Sequence, residues 1–154
     1  MGSEMCIRDS TLSDRGMRQV AFKLSCKSKD LCPGGQPVHL VFCSPLKRAI
    51  LTALAFTAAK CVVLVPGLAE VRTGYGMNAV EMAAWFAESG IDGSKFDLSM
   101  LNPEWASNLA KETESAARAR VNRTLTAIQR YWGASEYSKG TKIAIVSHLS
   151  LIHI

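Results

Sequence analysis

Three side chains that could take part in catalysis each follow an apolar segment of the sequence. Arg48 comes after VFCSPLK, Glu70 comes shortly after CVVLVPG, and His148 comes after IAIVS. Alone, each has an ordinary explanation: a solvated arginine, a solvated glutamate and a core histidine bonded to backbone. Together they suit phosphoryl transfer through a phosphohistidine, because arginine neutralises phosphate oxygens, imidazole attacks phosphorus and a carboxylic acid protonates the leaving oxygen.

This chemistry requires no metal ion and no organic cofactor. The sequence contains no cluster of acidic residues of the kind that holds a divalent cation. We therefore expect a site without metal or cofactor, whose ligand is a small phosphorylated molecule.

The elements that must position these residues alternate between helices and apolar strands. The strands are predicted at 38–43, 61–65 and 142–147, and the helices at 13–25, 45–60, 78–90 and 112–131. Strands that are apolar throughout and separated by helices indicate an α/β fold, a three-layer sandwich with a mainly parallel sheet and helices on both faces. Ligands of such sheets bind at the carboxyl ends of the strands, which is where Arg48, Glu70 and His148 fall.

Local signals refine these boundaries. Ser44 is predicted as the N-cap of the second helix, with Pro45 at its first position. Asn78 and Glu81 form a variant capping box, whereas residues 92–103 have no regular pattern. The long helix has an apolar line that consists of Ala117, Val121, Leu125, Ile128 and Trp132. In the second helix, Lys47 is interpreted as solvated.

The composition is that of an ordinary globular domain, with 48% hydrophobic and 20% charged residues in 154. The net charge of +5 favours anionic ligands without choosing among them. No nucleic-acid-binding motif or basic–aromatic patch occurs, and the longest apolar run is too short to cross a bilayer. We expect neither nucleic acid nor a membrane as partner. Five cysteines without C-x-x-C favour reduced thiols and a cytoplasmic location.

Several motifs resemble those of the histidine phosphatase superfamily, in its phosphoglycerate mutase-like branch. The most specific is CSPLKRAILTA, which is similar to Ser-x-Leu-x-Arg-Ala-x-x-Thr-Ala. LSDRGMRQV resembles the opening of the superfamily's first helix, and LAEVRTG resembles the segment that carries its proton donor. IAIVSH resembles the strand that ends in its second active-site histidine, and KETES with Arg120 resembles a mostly structural helix.

The resemblance implies a role for each candidate residue. Arg48 would bind the phosphate, and Glu70 would be the proton donor. His148 would be the second active-site histidine, which stabilises the transferred phosphoryl group, and Ser44 would support the site. The implied function is that of a phosphohistidine-mechanism phosphatase or phosphomutase acting on a small phosphorylated substrate, with no metal and no cofactor.

The sequence departs from the superfamily at its nucleophile. That histidine lies in an Arg-His-Gly motif at the end of an earlier strand, and the motif does not occur here. The three histidines are His39, inside a predicted strand, His148, and His153, one residue from the end. We therefore expect the chain to be a fragment, truncated at both ends, that is inactive by itself.

The two ends of the sequence resemble translated adapter sequence. We interpret residues 1–10 as a non-native leader, residues 11–148 as a partial histidine phosphatase-like domain and residues 149–154 as a non-native tail. The two ends are expected to pack poorly against the domain. The alternative to an enzyme is a non-catalytic phosphate- or anion-binding module of the same fold, and the choice between phosphatase and mutase stays open.

Overall fold

The computed structural model describes residues 13–19, 38–134 and 142–148. The helices in these residues are α1 (Asp14–Gln19), α2 (Lys47–Ala53), α3 (Ala79–Glu88) and α4 (Glu114–Ala134). The strands are β1 (Val38–Cys43), β2 (Cys61–Leu64), β3 (Phe96–Asp97) and β4 (Lys142–Val146). Single turns of 3-10 helix lie at Pro66–Leu68, Gly93–Lys95 and Ser107–Leu109.

The four described strands form one parallel sheet in the order β3-β2-β1-β4. In its register, Val41 of β1 lies opposite Val62 of β2 on one side and Ala144 of β4 on the other. A parallel sheet puts the carboxyl ends of its strands at one edge. The ends of β1, β2 and β4 therefore lie side by side, as the sequence predicted.

Helices cover both faces of the sheet. Val41 and Val62 belong to one buried cluster, which includes Ile50 of α2 and Met82 of α3. Their neighbours along the strands point the other way, because side chains alternate across a strand. These residues form a second buried cluster with the long helix α4: Leu40, Phe42, Val63 and Ile128. The α/β sandwich with a mainly parallel sheet is confirmed.

The helix after β1 differs from its prediction at both ends. It begins at Lys47, with Leu46 at the N-cap position and no side-chain cap, and it ends at Ala53. The prediction that Ser44 caps a helix from Pro45 to Lys60 is wrong. Ser44 is fully buried, and its hydroxyl accepts only a long bond from the Leu46 amide, at 3.4 Å. Its principal partner lies elsewhere in the chain.

Two other sequence predictions need correction. The segment predicted as irregular contains β3, which pairs with β2 through Val62 and Phe96. The long helix runs from Glu114 to Ala134, and Leu125 in its predicted apolar line is 38% exposed. A step of four residues advances about 400° around a helix, so a line drawn at that spacing turns away from the core.

The capping box is confirmed in full. The Asn78 side chain accepts from the amides of Val80 and Glu81, and the Glu81 carboxylate accepts from the Asn78 amide. At the other end, Gly90 has a φ of 67°, the left-handed conformation that often ends a helix. These short-range signals fix both ends of α3.

Some predictions fall on residues that the structure does not describe. They include the two terminal segments, 1–10 and 149–154, and the first helix beyond Gln19. Within α1, the Ser13 hydroxyl accepts from the Gly16 amide at 3.2 Å, as a capping serine does. None of the described helices combines the length and the apolar content that crossing a bilayer requires.

Candidate active site

The carboxyl edge of the sheet brings the ends of three strands together. The Ser44 amide donates to the carbonyl of Val146 at 2.9 Å, and the Val65 amide donates to the carbonyl of Cys43 at 2.8 Å. The strand pairing thus continues past the last strand residues. The segments that carry Arg48, Glu70 and His148 leave the sheet from this shared edge.

Arg48 and Glu70 form an ion pair across this edge. The guanidinium Nη2 of Arg48, in the first turn of α2, contacts the Oε2 of Glu70. The side chains are 24% and 42% exposed, so solvent and a charged ligand can reach the pair. A guanidinium in this setting can exchange the carboxylate for the oxygens of a phosphate, which it binds with the same planar geometry.

His148 lies against Ser44. Its Nε2 is 2.8 Å from the Ser44 hydroxyl, and the residue is only 8% exposed. Burial, and secondarily the charge of Arg48, lower the pKa of His148 from 6.5 to about 4, while the charge of Glu70 opposes the shift. The ring is therefore neutral at physiological pH. Both members of the ion pair are close enough to act on it, so the structure brings all three predicted residues together.

The two ring nitrogens of His148 have different surroundings. Nε2 is engaged by Ser44, whereas Nδ1 makes no hydrogen bond within the described part of the chain. Ser44 therefore orients the ring and fixes which nitrogen remains available to a ligand. This contact explains why Ser44 does not cap α2: its hydroxyl is directed at the imidazole.

The segment that delivers Glu70, residues 67–70 (the Glu70 segment), is held by side chains from three parts of the fold. Each of its four successive carbonyl groups accepts a hydrogen bond from a side chain. The pairs are Arg120 with Gly67 at 2.7 Å and Ala69 at 3.1 Å, Ser147 with Leu68 at 2.9 Å, and Thr73 with Glu70 at 2.7 Å. Since an unpaired buried carbonyl is costly, these bonds define the path of the backbone up to Glu70.

Arg120 is itself held by Glu112. Its Nε and Nη2 donate to the two carboxylate oxygens of Glu112, each at 2.7 Å, and the side chains are 10% and 6% exposed. We call this the clamp pair. The sequence of this region resembles a mostly structural helix. Nothing in that sequence indicates that Arg120 reaches back to the segment before Glu70, because the contact joins residues about fifty positions apart.

The backbone just beyond Glu70 is strained. Arg72 has a φ of 58°, a left-handed conformation that is uncommon for a residue with a side chain. Its Nε donates to the backbone carbonyl of Glu112 at 3.3 Å. Such conformations cost on the order of 1 kcal/mol and persist where surrounding contacts impose them. Glu112 therefore contacts the chain after Glu70 directly, and its partner Arg120 contacts the chain before Glu70.

Trp105 anchors the far end of the same loop. Its indole N–H donates to the carbonyl of Met77 at 2.9 Å, and the residue is 3% exposed. A Cβ on Gly76 would lie 2.1 Å from the indole ring, so only glycine allows this close approach. The loop from Glu70 to Met77 thus has a fixed point at each end.

The prediction that Lys47, next to Arg48, is simply solvated is wrong. Its Nζ lies 5.5 Å from the ring centroid of Trp85 on α3, and the residue is half-buried. A cation over an indole face gains about 0.5–1 kcal/mol at such a site. The two adjacent cations therefore have different tasks, since Lys47 packs on α3 while Arg48 faces Glu70.

A cavity of about 600 Å³ lies on the face of the sheet that α4 covers, between α4 and the segment after β3. Its walls include Phe42, Val63 and Ile128, with Arg123 at its border. Arg48, Glu70 and His148 do not line it, although Gly67 of the Glu70 segment does. The cavity therefore borders the segment that carries Glu70 without including the three candidate side chains.

The described residues contain no group of three or more histidine, cysteine, aspartate or glutamate side chains placed to hold a metal ion. The donors at the site are one imidazole and one carboxylate already paired with a guanidinium. The chemistry available to these side chains is anion binding and proton transfer.

Comparison with known proteins agrees with this fold. A family model described as the histidine phosphatase superfamily (branch 1) matches residues 6–154. No curated protein is similar enough in sequence to count as a relative. Among solved structures, the ecdysone phosphate phosphatase EPPase from Bombix mori, in complex with tungstate, has a TM-score of 0.66 at 19% sequence identity.

That structural match covers 92% of this chain and 53% of the EPPase chain. The chain therefore spans about half the length of that protein. At this level of identity the likeness concerns the fold: a parallel sheet with helices on both faces.

Proposed function

Because the chain belongs to the histidine phosphatase superfamily, branch 1, we propose that it is part of a phosphohistidine-mechanism phosphatase or phosphomutase acting on a small phosphorylated substrate. The observation that carries the proposal is the cluster at the carboxyl edge of the sheet. There, a reachable guanidinium, a carboxylate and a neutral imidazole lie together, which are the groups this chemistry uses.

Each residue has a role that follows from its contacts. Arg48 leaves Glu70 to bind the phosphate oxygens and neutralise their charge. His148, oriented by Ser44, contacts the transferred phosphoryl group through its remaining nitrogen. Glu70, released from Arg48, protonates the oxygen of the leaving alcohol.

The reaction also requires a nucleophile. An imidazole nitrogen forms the P–N bond as the ester P–O bond breaks, and the leaving oxygen takes a proton from Glu70, whose carboxylate picks that proton up from solvent once Arg48 has left it for the phosphate. The P–N bond then breaks as water, or a second hydroxyl group in a mutase, bonds to phosphorus and gives its proton to the Glu70 carboxylate. No Arg-His-Gly occurs in the sequence, and Ser44 fully engages one nitrogen of His148. We therefore propose that the chain as given binds phosphate but does not turn over its esters.

The second candidate is a non-catalytic anion-binding module of the same fold. It uses the same Arg48 and His148 contacts, and the absence of Arg-His-Gly from the sequence fits both candidates. It differs from the first candidate in one outcome only. Restoring an upstream strand that ends in Arg-His-Gly would create activity in a piece of an enzyme and would leave a binding module inactive.

Tungstate is a suitable probe of the site. It is a tetrahedral oxyanion with the shape and charge of phosphate, and the EPPase structure contains it. We expect it to bind the chain at Arg48, with Arg48→Ala weakening the affinity about tenfold to a hundredfold, as expected for loss of a charged hydrogen bond. Arg118→Ala is the matched control, because Arg118 lies on the exposed side of α4 and is 61% exposed.

The measurement is isothermal titration calorimetry with tungstate, followed by an aryl-phosphate assay on the chain with and without the restored strand. Equal affinities for the parent chain and Arg48→Ala would refute the site. Turnover by the chain as given, lost on His148→Ala, would show that His148 is the nucleophile. An inactive restored chain would favour the binding module.

The remaining parts of the proposal concern partners and location. The site offers the Arg48 guanidinium and no extended basic surface is needed to explain it, which suits a small phosphorylated molecule better than nucleic acid or a membrane surface. The buried thiol of Cys43 and the half-buried thiol of Cys61 are both free, which supports a reducing, cytoplasmic location.

A further inference from the structure

The Glu70 segment is only four residues long, but its backbone makes many hydrogen bonds with side chains. Its four carbonyls accept side-chain hydrogen bonds, and two of these bonds come from the single guanidinium of Arg120. The second of them ends on Ala69, the residue directly before Glu70. Thr124 of α4 also packs closely on Gly67, but the bond from Arg120 reaches the residue next to Glu70.

Burying the clamp pair to hold a backbone segment in place has a large free-energy cost. Removing two charges from water costs more than their attraction returns in many proteins, and apolar pairs of similar volume often stabilise the fold equally well or better. Stability alone therefore does not account for a buried Arg120–Glu112 pair. An apolar pair could not donate hydrogen bonds to the carbonyls of Gly67 and Ala69. It could therefore not fix the position of the backbone just before Glu70.

We propose that Arg120, held by Glu112, is a positioning residue that sets Glu70 against Arg48. The role of Glu70 as an acid rests on the function proposed above, whereas the positioning itself is a property of the ligand-free chain. The guanidinium of Arg120 holds the backbone before Glu70, and the backbone carbonyl of Glu112 holds Arg72 after it. Glu70 therefore starts from a backbone restrained on both sides.

The test replaces the clamp pair without leaving a buried charge. The variant is Glu112→Leu with Arg120→Met, which exchanges the ion pair for apolar side chains of similar volume. The control is Glu114→Leu with Arg118→Met on the same helix, whose ion pair is 3.6 Å long and exposed. Glu70→Gln is the reference for an Arg48 that has lost its carboxylate partner.

The readout is the hydrogen-exchange rate of the Arg48 guanidinium N–H groups, followed by NMR without any ligand. In the parent chain and the control, contact with Glu70 slows the exchange. We expect the Glu112→Leu, Arg120→Met variant to exchange at least about tenfold faster, at the rate of Glu70→Gln, while its backbone spectrum remains that of a folded protein. A parent-like rate in the folded variant would overturn the inference.

If the double variant does not fold, Arg120→Lys decides the question in the same way. It retains the charge opposite Glu112 but cannot make the four bonds of Arg120, since an ammonium has only three N–H donors on one nitrogen and lacks the planar fork that reaches the carboxylate and the carbonyls from separate nitrogens. A rate close to that of Glu70→Gln supports the inference, and a parent-like rate overturns it. Because no phosphate or tungstate is present, failure here is distinct from failure to bind tungstate, which would count against the proposed function.

Discussion

Among the residues that the structure describes, two arginine–glutamate pairs with the same chemistry have contrasting surroundings. Arg48 and Glu70 meet at the edge of the sheet, with exposed fractions of 24% and 42%. Arg120 and Glu112 are 10% and 6% exposed and are joined by two hydrogen bonds of 2.7 Å. Arg48 contacts a carboxylate at the edge of the sheet, whereas Arg120 contacts a carboxylate and two backbone carbonyls in the interior.

The difference shows how surroundings decide what an ion pair does. A partly exposed pair such as Arg48 and Glu70 is screened by water, so a phosphate can take the place of its carboxylate more easily than in the interior. A buried pair cannot lose one partner without leaving an uncompensated charge in the interior. Exchange with a ligand therefore suits Arg48, and fixing the backbone suits Arg120.

The largest effect is expected from breaking the clamp pair at one side only. Arg120→Met leaves the Glu112 carboxylate buried without a partner, and we expect the free energy of unfolding to fall by about 3–5 kcal/mol. Arg48→Met should cost less than about 1 kcal/mol, because solvent reaches Glu70. Urea denaturation of both variants measures the two values, and equal losses would remove the distinction between the pairs.

A smaller effect is expected from acid, acting through His148. The folded pKa is about 4 against 6.5 for the free side chain, so between these values the unfolded chain binds a proton that the folded chain does not. Stability should therefore fall by about 1–3 kcal/mol as the pH falls from 6.5 to 4. The measurement is urea denaturation across this range.

His148→Gln is the control for this pH dependence, and it should flatten the part of the curve that belongs to the ring. The exposed pair also contributes to the shift, since the charge of Arg48 lowers the pKa of His148. NMR titration of the ring should thus give a higher pKa in Arg48→Met than in the parent chain. An unchanged pKa would mean that the exposed pair does not act on His148.

The smallest effect is expected from the third pair, Glu114 with Arg118. Its atoms are 3.6 Å apart, and its side chains are 70% and 61% exposed. Arg118→Met should change the free energy of unfolding by less than about 0.5 kcal/mol in the same urea experiment. A loss comparable to that of Arg120→Met would show that position on α4, rather than burial, governs the effect.

Features set by residues close together in the sequence were predicted correctly. Errors arose where a distant residue competed for the same hydrogen-bonding group. The capping box of Asn78 and Glu81 is complete within four residues, so no distant contact is needed to form it. Ser44 carried an equally good capping signal, but the imidazole of His148, about a hundred positions away, takes its hydroxyl. Strand β3 was missed because two residues, Phe96 and Asp97, are too few to show a period.

The candidate site likewise combines features that could be predicted from the sequence with long-range contacts that could not. The positions of Arg48, Glu70 and His148 could be predicted because a parallel sheet brings its carboxyl ends to one edge, whatever the loops do. The clamp pair could not, since Arg120 lies beside the apolar line of its helix and nothing nearby in the sequence marks it as buried. The contacts of Ser147 with Leu68, and of Arg120 with Ala69, exist only in three dimensions.

The close packing of Trp105 on Gly76 makes the chain its own optical reporter. The emission of an indole shifts to longer wavelength when its ring and N–H group meet water, and in this structure both are buried against the loop that begins at Glu70. Replacing the other two tryptophans, Trp85 and Trp132, by Phe would leave Trp105 as the only tryptophan, although Lys47 would then lie over a weaker partner. A red shift of Trp105 emission on adding tungstate would thus register the release of Glu70 from Arg48 as a movement of the whole loop.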